Sequence, residues 1–309
     1  AAVEACSEFA IELGINIPTG KDSLSMKQKY PNDEVIAPGT VIISAGGNCT
    51  DIRKVVEPVL RFQSDGMTVG SIYYINLSQD EYKLGGSSFS QILNTIGNEA
   101  PTIKDAAFFK KAFNTIQELI LDNQIVAGHD IGSGGLITTL LEMCFADVNL
   151  GAKIDFSVFE EKDIIKYLFA ENIAIVFQAK EDIVVERALE NKGVSFYKLG
   201  SVTNEATLEF GDYKLDIAKH RDIWFKTSFL LDQKQAKNGM AKARFDNYKN
   251  QALNYTFPSH FTGKAPVIDN SKPRPKAAII REKGSNSERE MANAMYLAGF
   301  DVKDVHMTD

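Results

Sequence analysis

The stretch that decides the fold is IVAGHDIGSGGLITTLLEM, residues 125–143. Its opening apolar run is typical of a buried strand and ends at His129 and Asp130. From Leu136 onward, apolar residues recur at helical spacing. The glycines in between let the backbone pass close to whatever lies above the strand end. The stretch therefore predicts a strand, a tight glycine turn and a helix.

This turn has two interpretations. A helix N-terminus carries unpaired N–H groups and a partial positive charge, and both favour phosphate. Asp130, at the carboxyl end of the strand, offers the oxygen ligands that Mg²⁺ prefers. The turn could therefore form a nucleotide-phosphate or Mg²⁺ site, or it could be a simple connection in which Asp130 caps the helix. A short glycine motif does not separate the two.

Composition restricts the class of protein. The 309 residues are 44% hydrophobic and 24% charged, which is ordinary for a soluble globular chain of up to two domains. The net charge of −7 argues against a nucleic-acid partner. No segment is apolar enough to span a membrane. Three widely spaced cysteines without a CxxC pair favour a reducing compartment, so we expect a cytoplasmic protein.

A second candidate site is the stretch IPTGKDSLSMK, residues 17–27. Gly20, Lys21 and Ser23 place a glycine, a cation and a hydroxyl together, a combination that suits an anionic ligand. The spacing GxxxxGK[ST] of a P-loop is absent. A polar turn between two strands explains the same residues, and the pattern leaves both interpretations open.

Strands and helices alternate from about residue 71 to residue 217, which predicts an α/β or α+β domain with helices against a sheet. We also expect strands at residues 41–45 and 154–158. Glu171 precedes a buried strand and could face a pocket, although a solvated or capping role is favoured.

The C-terminal part has a different organisation. Residues 223–249 are predicted to be helical, and the proline-rich residues 250–276 form a linker. Residues 277–306 then predict one β-α-β unit, the opening of a doubly wound domain. Because the chain lacks an initiator Met and begins within a helical pattern, we expect it to be a piece of a longer polypeptide.

Four stretches together resemble the family of large, single-chain phosphoribosylformylglycinamidine synthases of purine biosynthesis. They are IPTGKDSLSMK (17–27), GHDIGSGGLITTLLEMCFA (128–146), LFAENIAIVFQ (168–178) and AAIIREKGSNSEREMANAMYLAGFDVKDVHMTD (277–309). Their order and spacing fit the family over nearly the whole chain. The fused C-terminal unit counts against other ATP-dependent enzymes of the same superfamily, which lack it.

The resemblance implies an α/β (α+β) fold with four parts. Residues 1–60 would end the N-terminal subdomain of a second, aminoimidazole-ribonucleotide-synthetase-like half, and residues 61–225 would form its C-terminal subdomain. Residues 226–275 would be a helical segment and proline-rich linker. Residues 276–309 would begin a truncated class I glutamine amidotransferase domain. The partners of this chain would then include the missing domains of the same polypeptide.

The resemblance also implies a function. The parent enzyme would be a ligase that uses ATP and glutamine to convert formylglycinamide ribonucleotide to its amidine, with Mg²⁺ as a cofactor. The segment by itself is expected to be inactive. An alternative is that this piece is a non-catalytic scaffold in which a bound nucleotide, ATP or ADP, stabilises the fold.

Site residues follow from the same resemblance. Asp130 matches a Mg²⁺ ligand beside an auxiliary nucleotide, and Gly132 matches a nucleotide contact. The usual family string is HDxSDGG, so Gly132 and Ser133 replace a serine and an aspartate. Gly20, Lys21 and Ser23 match residues that contact ATP and substrate, with Lys21 in place of an asparagine.

No catalytic residue is expected within the chain itself, because the residues of the glutaminase would lie beyond it. Cys144 falls within an apolar helix and is not expected to be the nucleophile of the glutaminase. His306 is expected to be a strand-end residue and not a base.

Overall fold

The computed structural model describes residues 2–20, 26–37, 39–48, 51–63, 69–250, 256–260, 269 and 271–308. The chain divides into two compact units, Ala1–Asp246 and Asn247–Asp309. None of the helices in the described ranges is both long and apolar enough to cross a bilayer.

The first unit begins with helix α1 (Ala2–Leu13), as the apolar spacing predicts. An antiparallel hairpin of β1 (Lys27–Tyr30) and β2 (Asp33–Ile36) follows. The prediction of a strand at residues 41–45 is wrong, since this run has no strand structure. Its apolar side chains are more than half exposed, and no neighbouring strand pairs with it in the described part of the chain.

A seven-stranded sheet forms the centre of the first unit. Its strands are β3 (Ile72–Asn76), β4 (Ile125–Asp130), β5 (Gly151–Ile154), β6 (Ala174–Ala179), β7 (Tyr197–Thr203), β8 (Thr207–Phe210) and β9 (Tyr213–Asp216). The spatial order is β4-β6-β3-β7-β5-β8-β9. Neighbours are antiparallel except for the parallel pair of β5 and β8. The predicted alternation is confirmed, and the pairing makes the fold α+β.

One strand lies earlier than predicted. The expected strand at residues 154–158 covers only the end of β5, and Phe156–Val158 forms a short 3-10 turn. The carboxylate of Asp155 accepts a hydrogen bond from the Ser157 N–H at 2.9 Å. A side chain that bonds its own backbone in this way competes with strand formation, and this ends the strand.

Seven further helices follow α1 in the described part of the first unit, and the last of them ends one residue past the boundary of the unit. They are α2 (Ser88–Ile92), α3 (Ala106–Leu121), α4 (Gly135–Phe145), α5 (Ile164–Phe169), α6 (Asp182–Asn191), α7 (Ile217–Gln235) and α8 (Met240–Asn247). Because side chains alternate along a strand, Tyr74 packs in one core cluster with α4, and Tyr73 packs in a second cluster with α3 and α6. Both faces of the central strands are therefore buried.

The predicted helix over residues 223–249 is two helices, and the first begins earlier than expected. Asp216 caps α7 by accepting a hydrogen bond from the Lys219 N–H at 2.7 Å. The break between α7 and α8 includes Gly239, which has a φ of +85°. A left-handed glycine of this kind is favourable for reversing the chain between helices.

The second unit contains a strand-helix-strand motif. Strands β10 (Lys276–Arg281) and β11 (Asp301–His306) are parallel and are joined by helix α9 (Glu288–Leu297). This confirms the predicted β-α-β unit. No residue in the described range 271–308 is buried.

Candidate functional site

The predicted strand, glycine turn and helix are present as β4, residues 131–134 and α4. Gly134 and Gly135 have φ angles of +92° and +72°, which only glycine adopts without strain. A Cβ on Gly135 would lie 2.6 Å from the Leu168 carbonyl oxygen, whereas one on Gly132 would meet no atom within 4 Å. The turn therefore requires glycine at positions 134 and 135 but not at 132.

Asp130 lies at the end of β4 with its side chain 86% exposed. The ring Nδ1 of His129 is 2.7 Å from the Asp130 carbonyl oxygen and 3.2 Å from its Oδ1. The N-cap position of α4 is Gly134, and no side chain caps the helix there. The interpretation of Asp130 as a helix cap is therefore wrong, and its carboxylate is available at the surface.

Glu171 holds the glycine turn in place. Its Oε1 accepts hydrogen bonds from the Gly134 N–H at 2.9 Å and from the Ser88 N–H at 2.8 Å. One carboxylate oxygen thus joins the turn before α4 to the start of α2, where negative charge is favourable. Of the two roles favoured for Glu171, solvated or capping, the structure shows the second, at the first N–H of α2.

This arrangement limits how an anion could bind. The Gly134 N–H is taken by Glu171, and the Gly135 N–H donates to the Gly132 carbonyl at 3.1 Å. The N–H groups of Gly132 and Ser133 make no hydrogen bond within the described part of the chain. A phosphate at this turn would therefore use the Gly132 and Ser133 amides and not the first turn of α4 itself.

The chemistry of the donors restricts the kind of metal binding. No group of three or more His, Cys, Asp or Glu side chains that could hold a metal occurs among the described residues. Mg²⁺ commonly takes one or two carboxylates and completes its shell with water and phosphate oxygens. The single exposed carboxylate of Asp130 fits the Mg²⁺ of a bound Mg-nucleotide. It does not fit a metal site made by this unit alone.

Two contacts behind Asp130 were not foreseen from the sequence. Glu142 on α4 lies 3.5 Å from the Nε2 of His129, and the indole N–H of Trp224 on α7 donates to Glu142 at 2.8 Å. Trp224 lies on α7 and is 48% exposed. The indole N–H of a partly buried tryptophan usually finds a hydrogen-bond acceptor, but the sequence does not indicate which residue provides it.

The second candidate site is only partly described. Gly20 is exposed and lies at the end of a described range, and Lys21 and Ser23 lie outside the described residues. Asp130 and Gly132 share one turn, and no hydrogen bond in the described part of the chain links Gly20 to it. The roles predicted for Gly20, Lys21 and Ser23 remain predictions.

Cys144 and His306 occupy the positions expected of them. The Cys144 side chain is 1% exposed in α4, and burial raises the pKa of its thiol to about 12. A thiol with such a pKa remains protonated near neutral pH and is a poor nucleophile. His306 ends β11, where its Nδ1 lies 2.8 Å from the Thr308 hydroxyl.

Three protein families match successive parts of the chain. Residues 1–48 match the FGAR-AT PurM_N-like domain, residues 72–212 match the C-terminal domain of AIR synthase related proteins, and residues 274–309 match the CobB/CobQ-like glutamine amidotransferase domain. These matches define the class: a synthetase-related region followed by the opening of a glutamine amidotransferase domain.

Similarity to two curated proteins extends over the whole of this chain. The chain is 36% identical to "Probable phosphoribosylformylglycinamidine synthase, chloroplastic/mitochondrial" of Arabidopsis thaliana and 33% identical to the phosphoribosylformylglycinamidine synthase of Homo sapiens. All of the chain aligns in both cases, with 22% and 24% of the relatives. The chain is thus similar over its whole length to phosphoribosylformylglycinamidine synthases and spans about a quarter of the length of these curated relatives.

Among solved structures, phosphoribosylformylglycinamidine synthase II from Thermotoga maritima is similar, with a TM-score of 0.41 and 12% identity. The alignment covers 54% of this chain and 27% of that one.

Proposed function

We propose that this chain is the part of a phosphoribosylformylglycinamidine synthase that spans the second synthetase half and the start of the glutaminase domain. The parent enzyme would use ATP and glutamine to convert formylglycinamide ribonucleotide to its amidine. The observation that supports this most strongly is the full-length alignment at 36% identity, with three family matches in the expected order. The reaction would take place in the cytoplasm.

Within that enzyme, the turn after β4 would hold an auxiliary nucleotide. Asp130 would bind the Mg²⁺ of Mg-ADP or Mg-ATP, which neutralises phosphate charge where it is bound. The free amides of Gly132 and Ser133 would contact a phosphate, and Glu171 would keep the turn in the required shape. Gly20, Lys21 and Ser23 would contact ATP and substrate in the complete enzyme.

Replacement of the usual serine by Gly132 removes one hydroxyl contact but no backbone contact. The open space around Gly132 supports the view that the change is not a response to crowding. Gly132→Ser is therefore expected to fit without strain and to strengthen nucleotide binding. A neutral hydrogen bond of this kind contributes about 0.5–1.5 kcal/mol.

The nucleotide site is tested by thermal unfolding of the full chain with Mg-ADP. A ligand present at 100 times its Kd stabilises the folded state by about 2.7 kcal/mol if it binds only that state. Asp130→Ala should remove the Mg²⁺-dependent part of the shift and leave any shift with ADP in EDTA. If a folded chain shows no shift with either ligand, it has no such site.

The expected inactivity of the isolated chain is tested separately. The chain incubated with ATP, glutamine and formylglycinamide ribonucleotide should form no amidine, since no residue within it is expected to be catalytic. Product formation would contradict this. A nucleotide-dependent shift without product would support the scaffold role of the isolated chain.

A further inference from the structure

Four side chains connect helix α7 to the end of strand β4. The indole N–H of Trp224 donates to Oε1 of Glu142 at 2.8 Å, and the other carboxylate oxygen of Glu142 lies 3.5 Å from the Nε2 of His129. The Nδ1 of His129 faces two acceptors of Asp130, the carbonyl oxygen at 2.7 Å and Oδ1 at 3.2 Å. The connection ends on the carboxylate assigned to Mg²⁺.

Packing fixes the outer end of this connection. The Trp224 ring makes an edge contact with Phe145 at 5.9 Å between ring centroids, and the Arg221 guanidinium donates to the Phe145 carbonyl at 3.0 Å. Both contacts join α7 to the end of α4. The position of the indole N–H is therefore set by helix packing, and Glu142 receives a donor with a defined direction.

Asp130, at the β4 end of this connection, needs a neighbouring group to orient its carboxylate. At 86% exposure, Asp130 is not held by surrounding atoms, and ordering a free side chain on binding costs conformational entropy. The His129 and Glu142 side chains are only 24% and 26% exposed, so the ring that contacts Asp130 is itself enclosed. Partners that orient a ligand residue in this way commonly change metal affinity when they are removed.

We propose that Trp224 and Glu142 are positioning residues for Asp130 and act through the ring of His129. They restrict the Asp130 carboxylate to an orientation in which one oxygen meets the Nδ1–H and the remaining lone pairs face the cation of a Mg-nucleotide. This inference rests on the proposed nucleotide site. It adds that α7, which packs on α4, contributes to the affinity for the metal-bound form of the nucleotide.

The experiment compares Mg-ADP with ADP in EDTA, both measured by thermal shift on the full chain. Trp224→Phe retains an aromatic ring but loses the N–H, and it should raise the Kd for Mg-ADP by about tenfold. Binding of ADP in EDTA should be unchanged. Phe229→Leu is the matched control, because Phe229 is an aromatic residue of the same helix that stacks on Phe245 instead.

Two substitutions at His129 separate loss of positioning from loss of folding. His129→Ala should weaken Mg-ADP binding as much as Trp224→Phe does. His129→Asn, whose amide N–H can take the place of Nδ1–H but which has no group in the place of Nε2, should recover the affinity only in part and should make it insensitive to Trp224→Phe. Because a general loss of folding would affect both variants alike, this pair separates positioning of Asp130 from structural damage.

Fluorescence gives a readout that is independent of stability. Trp224 is the only tryptophan in the sequence, so its emission reports directly on the hydrogen bond to Glu142. Emission should change saturably with Mg-ADP, at the Kd found by thermal shift, and His129→Ala should abolish the change.

Two results would overturn the inference, and they are distinguishable. If wild-type chain binds Mg-ADP but Trp224→Phe and His129→Ala bind it equally well, the positioning role is wrong and the nucleotide site stands. If the folded wild-type chain binds neither form of ADP, both proposals are wrong.

Discussion

Strands β3 and β10 show how similar sequence patterns reach different structural outcomes. Both are short runs rich in apolar residues, IYYIN and KAAIIR. Ile75 in β3 is 0% exposed, whereas Ile280 in β10 is 68% exposed. Strand β3 has a neighbour on each side and helices over both faces, whereas β10 pairs with β11.

The contrast teaches that an apolar strand pattern predicts a strand but not its stability. Burial of an Ile or Phe side chain contributes about 1.5–3 kcal/mol, and an exposed one contributes little. Local stability should therefore be high in the seven-stranded sheet and low in the β10-α9-β11 motif. Substitutions that break or sharpen this contrast can be ranked by expected effect.

The largest effect is expected in the core of the sheet. Phe177 on β6 is fully buried and stacks on Tyr73 at 5.5 Å between ring centroids. Phe177→Ala should lower the free energy of unfolding by about 3–5 kcal/mol, because it leaves a cavity. Phe113→Ala is the control, since Phe113 on α3 is 49% exposed and its removal should cost far less. Urea denaturation measures both, and equal losses would contradict the assigned core.

The next largest effect is expected at the glycine turn. Gly135→Ala places a Cβ against the Leu168 carbonyl and requires alanine to adopt the left-handed conformation that Gly135 has. It should therefore lower the free energy of unfolding by about 3 kcal/mol. Gly132→Ala meets open space and should change stability by less than about 0.5 kcal/mol. Thermal unfolding of the two variants tests this directly. A similar cost for both would mean that the turn has a different shape.

The glycine turn shows which features of the site can be predicted from sequence and which cannot. The strand, the glycine turn and the helix follow from local apolar spacing and glycine chemistry, and all three are present. The individual contacts could not be predicted, because Glu171 binds the turn, and Trp224 binds Glu142 on α4, from elements far away in sequence. A spacing rule describes neighbours on one element and contains no information on contacts between elements.

The same limit explains the errors in the fold. Residues 41–45 have the composition of a strand, but a strand also requires a partner, which local sequence does not specify. The early end of β5 comes from a hydrogen bond of Asp155 that outweighs strand propensity. The order of the sheet strands depends on long-range pairing, and the sequence predicted only that helices would pack against a sheet.

A moderate effect is expected where α6 is attached to the sheet. Asp182 accepts hydrogen bonds from the Ser71 N–H and hydroxyl at 2.7 Å and forms an ion pair with Lys198 at 2.7 Å. Partial burial would raise the pKa of Asp182, but the bonds from Lys198 and Ser71 outweigh it and lower the pKa. Asp182→Ala should therefore cost about 2 kcal/mol at neutral pH.

The pH dependence has a defined sign. Because the pKa of Asp182 is lower in the folded state, its contribution is complete above the unfolded value of about 4 and is lost as pH falls through the folded value. The stability difference between wild type and Asp182→Ala should shrink below about pH 4. Asp182→Asn is the matched variant, since it retains an acceptor for Ser71 and loses the charge. A difference that stays constant with pH would contradict this assignment.

The smallest effect is expected for Ile280→Ala in β10. The side chain is already 68% exposed, so truncation removes little buried surface and should change stability by less than about 0.5 kcal/mol. Amide hydrogen exchange along β10 and β11 measures this local stability, with Ile75→Ala in β3 as the buried counterpart expected to cost several times more. A loss above about 1 kcal/mol at Ile280 would mean that this side chain is buried in solution. In that case β10 would have a buried face in solution as β3 does, and the difference in exposure between Ile75 and Ile280 would not reflect a difference in intrinsic stability between the two strands.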